Sequence, residues 1–322
     1  MIKFFREKKA HLAQGKDGFI MKKATALLLT VVMALSLAAC GSSTSSTTSA
    51  NTTAAANTAA ATTTNTTAAA NTTAANTTAN TAANTTASTT AGTTTITKAF
   101  AGKTLTMATN AQFPPYEYYD GDKVVGIDAD LAQAIADELG MTLKIEDMDF
   151  DTIINAVQSG KADIGVAGMT VTEERLKNIS FTDSYITSSQ MILIKSDNTE
   201  ITGPDSLEGK KIGVQLGTTG DIYAQDIKDA KIEEYNSGFE AVQALSQGKL
   251  DAVIIDEEPA KVFVEKTSGA VKLVDEPFTN EDYAICVAKD NTELLDAVNA
   301  VLADLKQTGK LQQIIDKYIS AK

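Results

Sequence analysis

The side chains that carry most hydrolytic and metal chemistry are nearly absent from this chain. Histidine occurs once, at His11, cysteine twice, at Cys40 and Cys286, and arginine twice, at Arg6 and Arg175. His11, Arg6 and Cys40 lie in an N-terminal stretch that reads as a leader ending in a modified residue. Beyond it stand no His, one internal Cys and one Arg. That excludes Ser-His-Asp and Cys-His catalysis, His-ligated zinc and zinc fingers, and no metal or cofactor is expected. Positive charge is scarce as well. Residues 1–23 hold seven basic and two acidic groups, whereas the rest holds 21 basic and 39 acidic groups, a net charge of −18. So acidic a body repels phosphate backbones and anionic lipid, so nucleic acid is not a partner. From 41 to 97 there is no charge and almost nothing large and apolar, and the residues are almost wholly Thr, Ala, Asn and Ser. Such a segment cannot bury enough surface to offset its ordering entropy, and it is expected to be a disordered tether.

What is present begins with Met21-Lys22-Lys23 and an uncharged run, residues 24–39, centred on Leu27-Leu28-Leu29. The run is short of the ~20 residues of a membrane span and ends in small residues, as a secretory signal does. Met21 opens a complete signal by itself, so the natural start is expected there. Leu37-Ala38-Ala39-Cys40, followed by Gly41-Ser42-Ser43, resembles the bacterial lipobox. The expected organisation is a signal over 1–39, a lipidated Cys40 and tether over 40–97, and a folded part over 98–322. With Cys40 acylated, Cys286 has no partner for an intramolecular disulfide; in an apolar run it is expected to be a buried small hydrophobe on a strand.

The folded part has 225 residues, enough for one large core or two small ones. Residues 103–108 read as a strand. Ile127, Leu131, Ile135 and Leu139 recur every four residues ahead of Gly140, which marks a helix and its end. A strand over 142–146, a helix over 151–158, and a buried strand over 162–167 follow. This alternation predicts an α/β fold with a largely parallel core. The pattern then repeats. Gly160-Lys161-Ala162-Asp163 matches Gly248-Lys249-Leu250-Asp251 at an offset of 88, and Gly102-Lys103 matches Gly209-Lys210 at an offset of 107. Two similar lobes are therefore expected, with the carboxyl ends of their strands facing one cleft, where open α/β sheets bind ligands.

The residues at those strand ends suit a zwitterion. In Gly168-Met169-Thr170-Val171-Thr172-Glu173-Glu174-Arg175, a Gly after a strand exposes backbone N–H groups, Thr170 adds a hydroxyl, and Thr172 is placed to cap a short helix. Arg175 carries a planar fork suited to a carboxylate, the alternative being a surface ion pair with Glu. Asp256 stands at the matching strand end of the other half, where it can receive an ammonium, cap the helix after it, or both. Gly217-Thr218-Thr219-Gly220 opens another helix towards the cleft. Phe113 and Phe150 come after strands, where they serve either as an apolar clasp or as ordinary core.

Residues 98–322 resemble the polar amino-acid solute-binding proteins of ABC importers. The resemblance rests on residues 108–116 (Ala-Thr-Asn-Ala-Gln-Phe-Pro-Pro-Tyr), on Val125-Gly126-Ile127-Asp128, on Met148-Asp149-Phe150-Asp151, on the Gly168 to Arg175 block with Phe181-Thr182-Asp183, and on Leu216-Gly217-Thr218-Thr219. It implies a two-lobed, type II periplasmic-binding-protein-like fold with two hinge strands. Lobe 1 would comprise 98–190 and 283–322, lobe 2 would comprise 191–282, and the hinges would fall near 188–192 and 280–284. By motif position, Arg175 and Thr170 would hold an α-carboxylate. Asp256, the Gly168 backbone and Thr219 would hold the ammonium and carboxylate between the lobes, and Phe113 and Phe150 would sandwich the side chain. The family implies an L-amino-acid ligand, ABC permease subunits as partners, a monomer, and a lipid-anchored location on the outer face of the cytoplasmic membrane or in the periplasm. Asn110 departs from the Asp common in relatives that bind cationic side chains, which argues against a strongly Lys- or Arg-selective site. Glu117 and Gln215 are candidates for reading the side chain. Two other readings compete: a cyclohexadienyl-dehydratase-like enzyme, disfavoured by the missing His, and a sensor domain, which would need a signalling segment after Lys322.

Overall fold

A computed structural model describes residues 99–319. The signal, Cys40 and the tether lie outside the described residues. Strand β1 (Thr104–Thr109) is followed by three short strands, β2 (Gln112–Phe113), β3 (Glu117–Asp120) and β4 (Lys123–Val125), which form a small antiparallel sheet. Helix α1 (Ile127–Leu139) and strand β5 (Thr142–Asp147) come next. A 3-10 turn at Phe150–Thr152 runs into α2 (Ile153–Gln158), then β6 (Ile164–Gly165), α3 (Glu173–Leu176) and β7 (Ser180–Phe181). The long strand β8 (Ile186–Lys195) leads to β9 (Lys211–Gln215), α4 (Thr219–Ala224), β10 (Lys231–Tyr235), α5 (Gly238–Ser246), β11 (Ala252–Asp256), α6 (Glu257–Lys266) and β12 (Val271–Leu273). The chain returns along β13 (Thr279–Tyr283) to β14 (Cys286–Val287), α7 (Thr292–Gln307) and α8 (Lys310–Tyr318).

Two mixed sheets result. The first runs β5-β1-β6-β14-β7, the second β10-β9-β11-β8-β12, with β13 on the other half of β8. In each, three strands are parallel, and the antiparallel neighbours come from the chain crossing between lobes and returning. The core is thus less parallel than the alternation of elements suggests. The crossings are β8 and β13, paired antiparallel with Ser188 opposite Glu281. The apolar run at 283–288 is two strands rather than one, because the chain leaves the second sheet at Tyr283 and enters the first at Cys286. Cys286 is fully buried, and burial pushes its thiol up to about 12, so it behaves as an inert apolar side chain.

Local chemistry explains the frame. Ile127, Leu131, Ile135 and Leu139 of α1 are all buried, each stabilising the lobe by about 1.5–3 kcal/mol, and Gly140 ends the helix in the left-handed conformation. The repeated tetrapeptides perform the same task in both lobes. Gly160 and Gly248 turn the chain at φ 71° and 73°. Asp163 then accepts from the Thr106 N–H at 2.7 Å, and Asp251 from the Lys211 N–H at 2.8 Å. Each Asp thereby joins the third parallel strand to the first.

Candidate ligand-binding site

A small cavity lies where the carboxyl ends of the strands of both sheets meet, a place where ligand sites of such folds form. From the first half, Asn110, Phe113, Phe150, Gly168, Thr170 and Arg175 border it; from the second, Thr219 and Asp256. Glu117, Gln215 and Thr218 join them.

Arg175 sits on α3, which Thr172 caps by accepting the Arg175 N–H at 3.2 Å. The guanidinium is buried and makes no ion pair among the described residues. One terminal nitrogen donates to the Thr170 carbonyl at 2.7 Å, the other to the Gly217 carbonyl of the opposite half at 3.0 Å. The remaining N–H groups, Nε–H and one on each terminal nitrogen, are left for another acceptor. Burial lowers its pKa, and Glu281 opposes that shift. The Phe150 ring lies 5.4 Å from the guanidinium carbon. Phe113 packs on Tyr116 with ring centroids 5.7 Å apart, so it is core and cavity wall at once.

Asp256 occupies the N-cap position of α6 but makes no capping bond. Its carboxylate accepts from the Tyr283 hydroxyl, which crosses from β13. Burial, then the nearby Glu281, pushes Asp256 up to about 7, while Tyr283 and Gln190 favour its ionised form. A ligand ammonium beside it would hold it ionised.

Three expected donors are engaged elsewhere. The Gly168 N–H donates to Asp128 at 2.8 Å, so what Gly168 can offer a ligand is its carbonyl. Gly168 has φ +53°, and a Cβ there would lie 2.9 Å from the Phe113 ring, so no larger residue fits. The Thr170 and Thr219 hydroxyls both donate to one Glu281 oxygen, at 2.8 and 2.9 Å, and Gln190 donates to the same oxygen at 3.1 Å. With their protons turned to Glu281, both hydroxyls can only accept from the cavity, and Thr219 already accepts from Gln190 at 3.3 Å, which leaves it one lone pair. That polarity suits an ammonium rather than the carboxylate expected for Thr170.

Three further cavity residues, Asn110, Gln215 and Glu117, are polar and buried. Gln215 donates to the Asn110 carbonyl oxygen at 3.0 Å across the two halves, and Asn110 donates to the Met148 carbonyl at 2.9 Å. Glu117 is fully buried, and neither carboxyl oxygen meets a hydrogen-bond donor. Burial and the adjacent Asp128 carboxyl hold it well above the usual carboxylate range. Asp128, also fully buried, accepts from the Tyr185 hydroxyl at 2.8 and 2.9 Å.

Sequence reasoning missed Glu281, Tyr283, Gln190, Asp128 and Tyr185. Three of them left a signal. Asp128 falls on the same face of α1 as Leu131, Ala132 and Ile135, a charge placed on an apolar stripe. Glu281 and Tyr283 alternate with exposed Asn280 and Asp282, which puts an acid on the buried face of a strand. Gln190 and Tyr185 left none.

Comparison with known proteins identifies the family and the fold. The profile of the bacterial extracellular solute-binding proteins, family 3, matches residues 105–321. The arginine-binding extracellular protein ArtP of Bacillus subtilis (strain 168) is 32% identical over 222 residues, spanning 68% of this chain and 87% of that protein. An ancestral arginine-binding protein solved with arginine superposes with a TM-score of 0.65 at 42% identity, covering 67% of this chain and 98% of the other. An ancestral arginine-binding protein bound to glutamine gives 0.64 at 41% identity, covering 68% and 98%.

Proposed function

The chain belongs to the bacterial extracellular solute-binding proteins, family 3, and on that premise we propose that it captures L-arginine between its lobes and presents it to an ABC permease. It is an amino-acid-binding solute-binding protein of ABC-transporter type, not an enzyme. In the proposed mode, Arg175 takes the α-carboxylate on the N–H groups its carbonyl contacts leave over. Asp256, the Thr170 and Thr219 hydroxyls and the Gly168 carbonyl take the ammonium. Phe113 and Phe150 flank the methylenes. The observation that carries arginine is Glu117, a buried carboxyl on the cavity with no donor on either oxygen. Asn110 supplies no negative charge, and Glu117 replaces the Asp whose absence there argued against a cationic side chain. Lipidation at Cys40, permease delivery, a monomeric state and hinging at β8 and β13 belong to the same proposal. They are supported by Leu37-Ala38-Ala39-Cys40, by the family, and by the pairing of the two crossing strands.

Glutamine is the second reading. The paired Asn110 and Gln215 amides complement a carboxamide, and a related protein was solved with glutamine. Titration calorimetry at pH 7.5 with arginine and glutamine decides between them. Tighter binding of arginine supports the first reading, tighter binding of glutamine the second, and no heat from any of the twenty amino acids rejects both.

A further inference from the structure

We propose that Glu117 and Asp128 share one proton, and that uptake of a cationic side chain expels that proton to solvent whereas uptake of a neutral one does not. This rests on the reading of the cavity as a site for arginine. Glu117, on β3, and Asp128, in the first turn of α1, are both fully buried, and the Asp128 N–H donates at 2.9 Å to the carbonyl of Tyr116, the residue before Glu117. Glu117 has no donor on either oxygen, and its neighbouring carboxyl is an acceptor when ionised. Two facing buried carboxyl groups are compatible only when one carries a proton that bonds to the other. The surroundings decide which. Asp128 already receives the Gly168 N–H at 2.8 Å and the Tyr185 hydroxyl at 2.8 and 2.9 Å, bonds that favour its ionised form. Glu117 receives none, so the proton resides on Glu117 and donates to Asp128.

The other titratable groups around Glu117 reinforce this. Asp256, at the end of β11, and Asp147, at the end of β5, both raise it further, and the Tyr185 hydroxyl precedes β8. Asp147 is itself held by the Ala111 N–H at 2.8 Å and the Tyr119 hydroxyl at 3.2 Å. The one guanidinium on the cavity, Arg175, is held by the Thr170 and Gly217 carbonyls. When a guanidinium, which keeps all its own protons, reaches Glu117, the Glu117 O–H bond breaks. The carboxylate pairs with the cation, and the proton passes to buffer. A neutral carboxamide or ureido group finds a carboxylic acid already matched to it, and no proton leaves.

Asp256 complicates a bare count, because pairing with any ligand ammonium ionises it too. The comparison therefore uses two ligands with the same ammonium, L-arginine and its neutral isostere L-citrulline. Calorimetry of the purified full chain at pH 7 in phosphate, HEPES and Tris, whose ionisation enthalpies differ, counts the protons released by each. The expected result is close to one more proton for arginine than for citrulline. The arginine-to-citrulline affinity ratio should correspondingly rise about tenfold per pH unit while free Glu117 is protonated. In Asp128→Asn, the amide can donate to Glu117, and the excess should fall below half a proton with arginine still bound. Equal release by the two ligands in the wild type, with arginine bound, overturns the proposal alone. Failure of arginine to bind anywhere between pH 6 and 9 overturns the arginine reading, and this proposal with it.

Discussion

The two lobes are built on one plan and diverge mainly after the first strand of each. Both order their parallel strands alike, β5-β1-β6 and β10-β9-β11, and both lock the third strand to the first through an Asp after a left-handed Gly. After β9 the chain enters α4 within four residues, presenting Thr219. After β1 it instead builds the small sheet β2-β3-β4 before α1 begins. The repeat records this, since its offset falls from 107 to 88 and the first lobe holds nineteen more residues between the matched points. That insert brings Phe113 and Glu117 to the cavity. The shared plan aligns strand ends on both sides of the cavity, and in the proposed mode the insert lets one lobe read the side chain. Lobe 1 thus supplies Arg175, Phe113, Phe150 and Glu117, and lobe 2 supplies Thr219 and Asp256.

The division of labour can be broken most severely on the lobe 1 side. Arg175→Lys keeps the charge but cannot donate to the Thr170 and Gly217 carbonyls and to a carboxylate together. Two or more lost charge-assisted bonds at about 1.5–3 kcal/mol each predict at least a hundredfold weaker binding of every amino acid. Calorimetry showing the variant within threefold of wild type would refute the role.

On the lobe 2 side, Asp256→Asn should weaken binding about ten- to hundredfold through loss of one charged partner. Its pH behaviour sharpens the contrast with Arg175. Asp256 must be ionised to attract an ammonium, so wild-type affinity should fall as pH drops through about 7, by up to about tenfold per unit. Stability of the ligand-free protein runs the other way. The folded carboxyl keeps its proton up to about 7, whereas an unfolded Asp loses it near 3.9, so the folded state binds more protons between those values. Stability then falls as pH rises through that window, and Asp256→Asn should flatten the decline. Denaturant unfolding at pH 5 and 7.5 measures it, and an unchanged difference would show that Asp256 is not the group responsible.

Glu281 belongs to neither lobe's repeat, yet it joins them by accepting from Thr170 and Thr219 together. Glu281→Gln replaces a shared acceptor by an amide with one acceptor oxygen. Binding should weaken about three- to tenfold, with a larger radius of gyration by small-angle scattering in the presence of ligand. Wild-type affinity and dimensions would mean that Glu281 does not hold the lobes together.

The smallest effect tests the shared plan itself. Asp163→Ala and Asp251→Ala each strip the acceptor from one strand N–H and should cost about 1 kcal/mol. Asp163 should cost more, because its bond is partly buried and that of Asp251 is exposed. A denaturation midpoint unchanged in either variant would contradict the equivalence, and a reversed ranking would contradict the argument from burial.

The repeat and the strand-end residues were legible because they rest on local rules: glycines at turns, a four-residue apolar period, a lone Arg after a capping Thr. The contacts that set hydrogen-bond polarity were not, since Glu281, Gln190 and Tyr283 reach the site from the crossing strands, 27 to 111 residues away from their partners. Thr170 shows the consequence. Its place at the cavity is set by its motif, but whether its hydroxyl donates or accepts depends on a carboxylate 111 residues along the chain.

The central claim is that Arg175 of lobe 1 holds the carboxylate of an amino acid and that Asp256 of lobe 2 is the charged partner of its ammonium. It is tested most directly by titrating wild type and Asp256→Asn with L-arginine, with agmatine, which lacks the carboxylate, and with 5-guanidinopentanoic acid, which lacks the ammonium. In wild type both analogues should bind at least about tenfold more weakly than arginine, each losing one charged partner. In Asp256→Asn the preference for arginine over the deaminated acid should collapse to within about threefold, while the preference over agmatine persists. A preference over the deaminated acid that survives unchanged in the variant would contradict the assignment of the ammonium to Asp256.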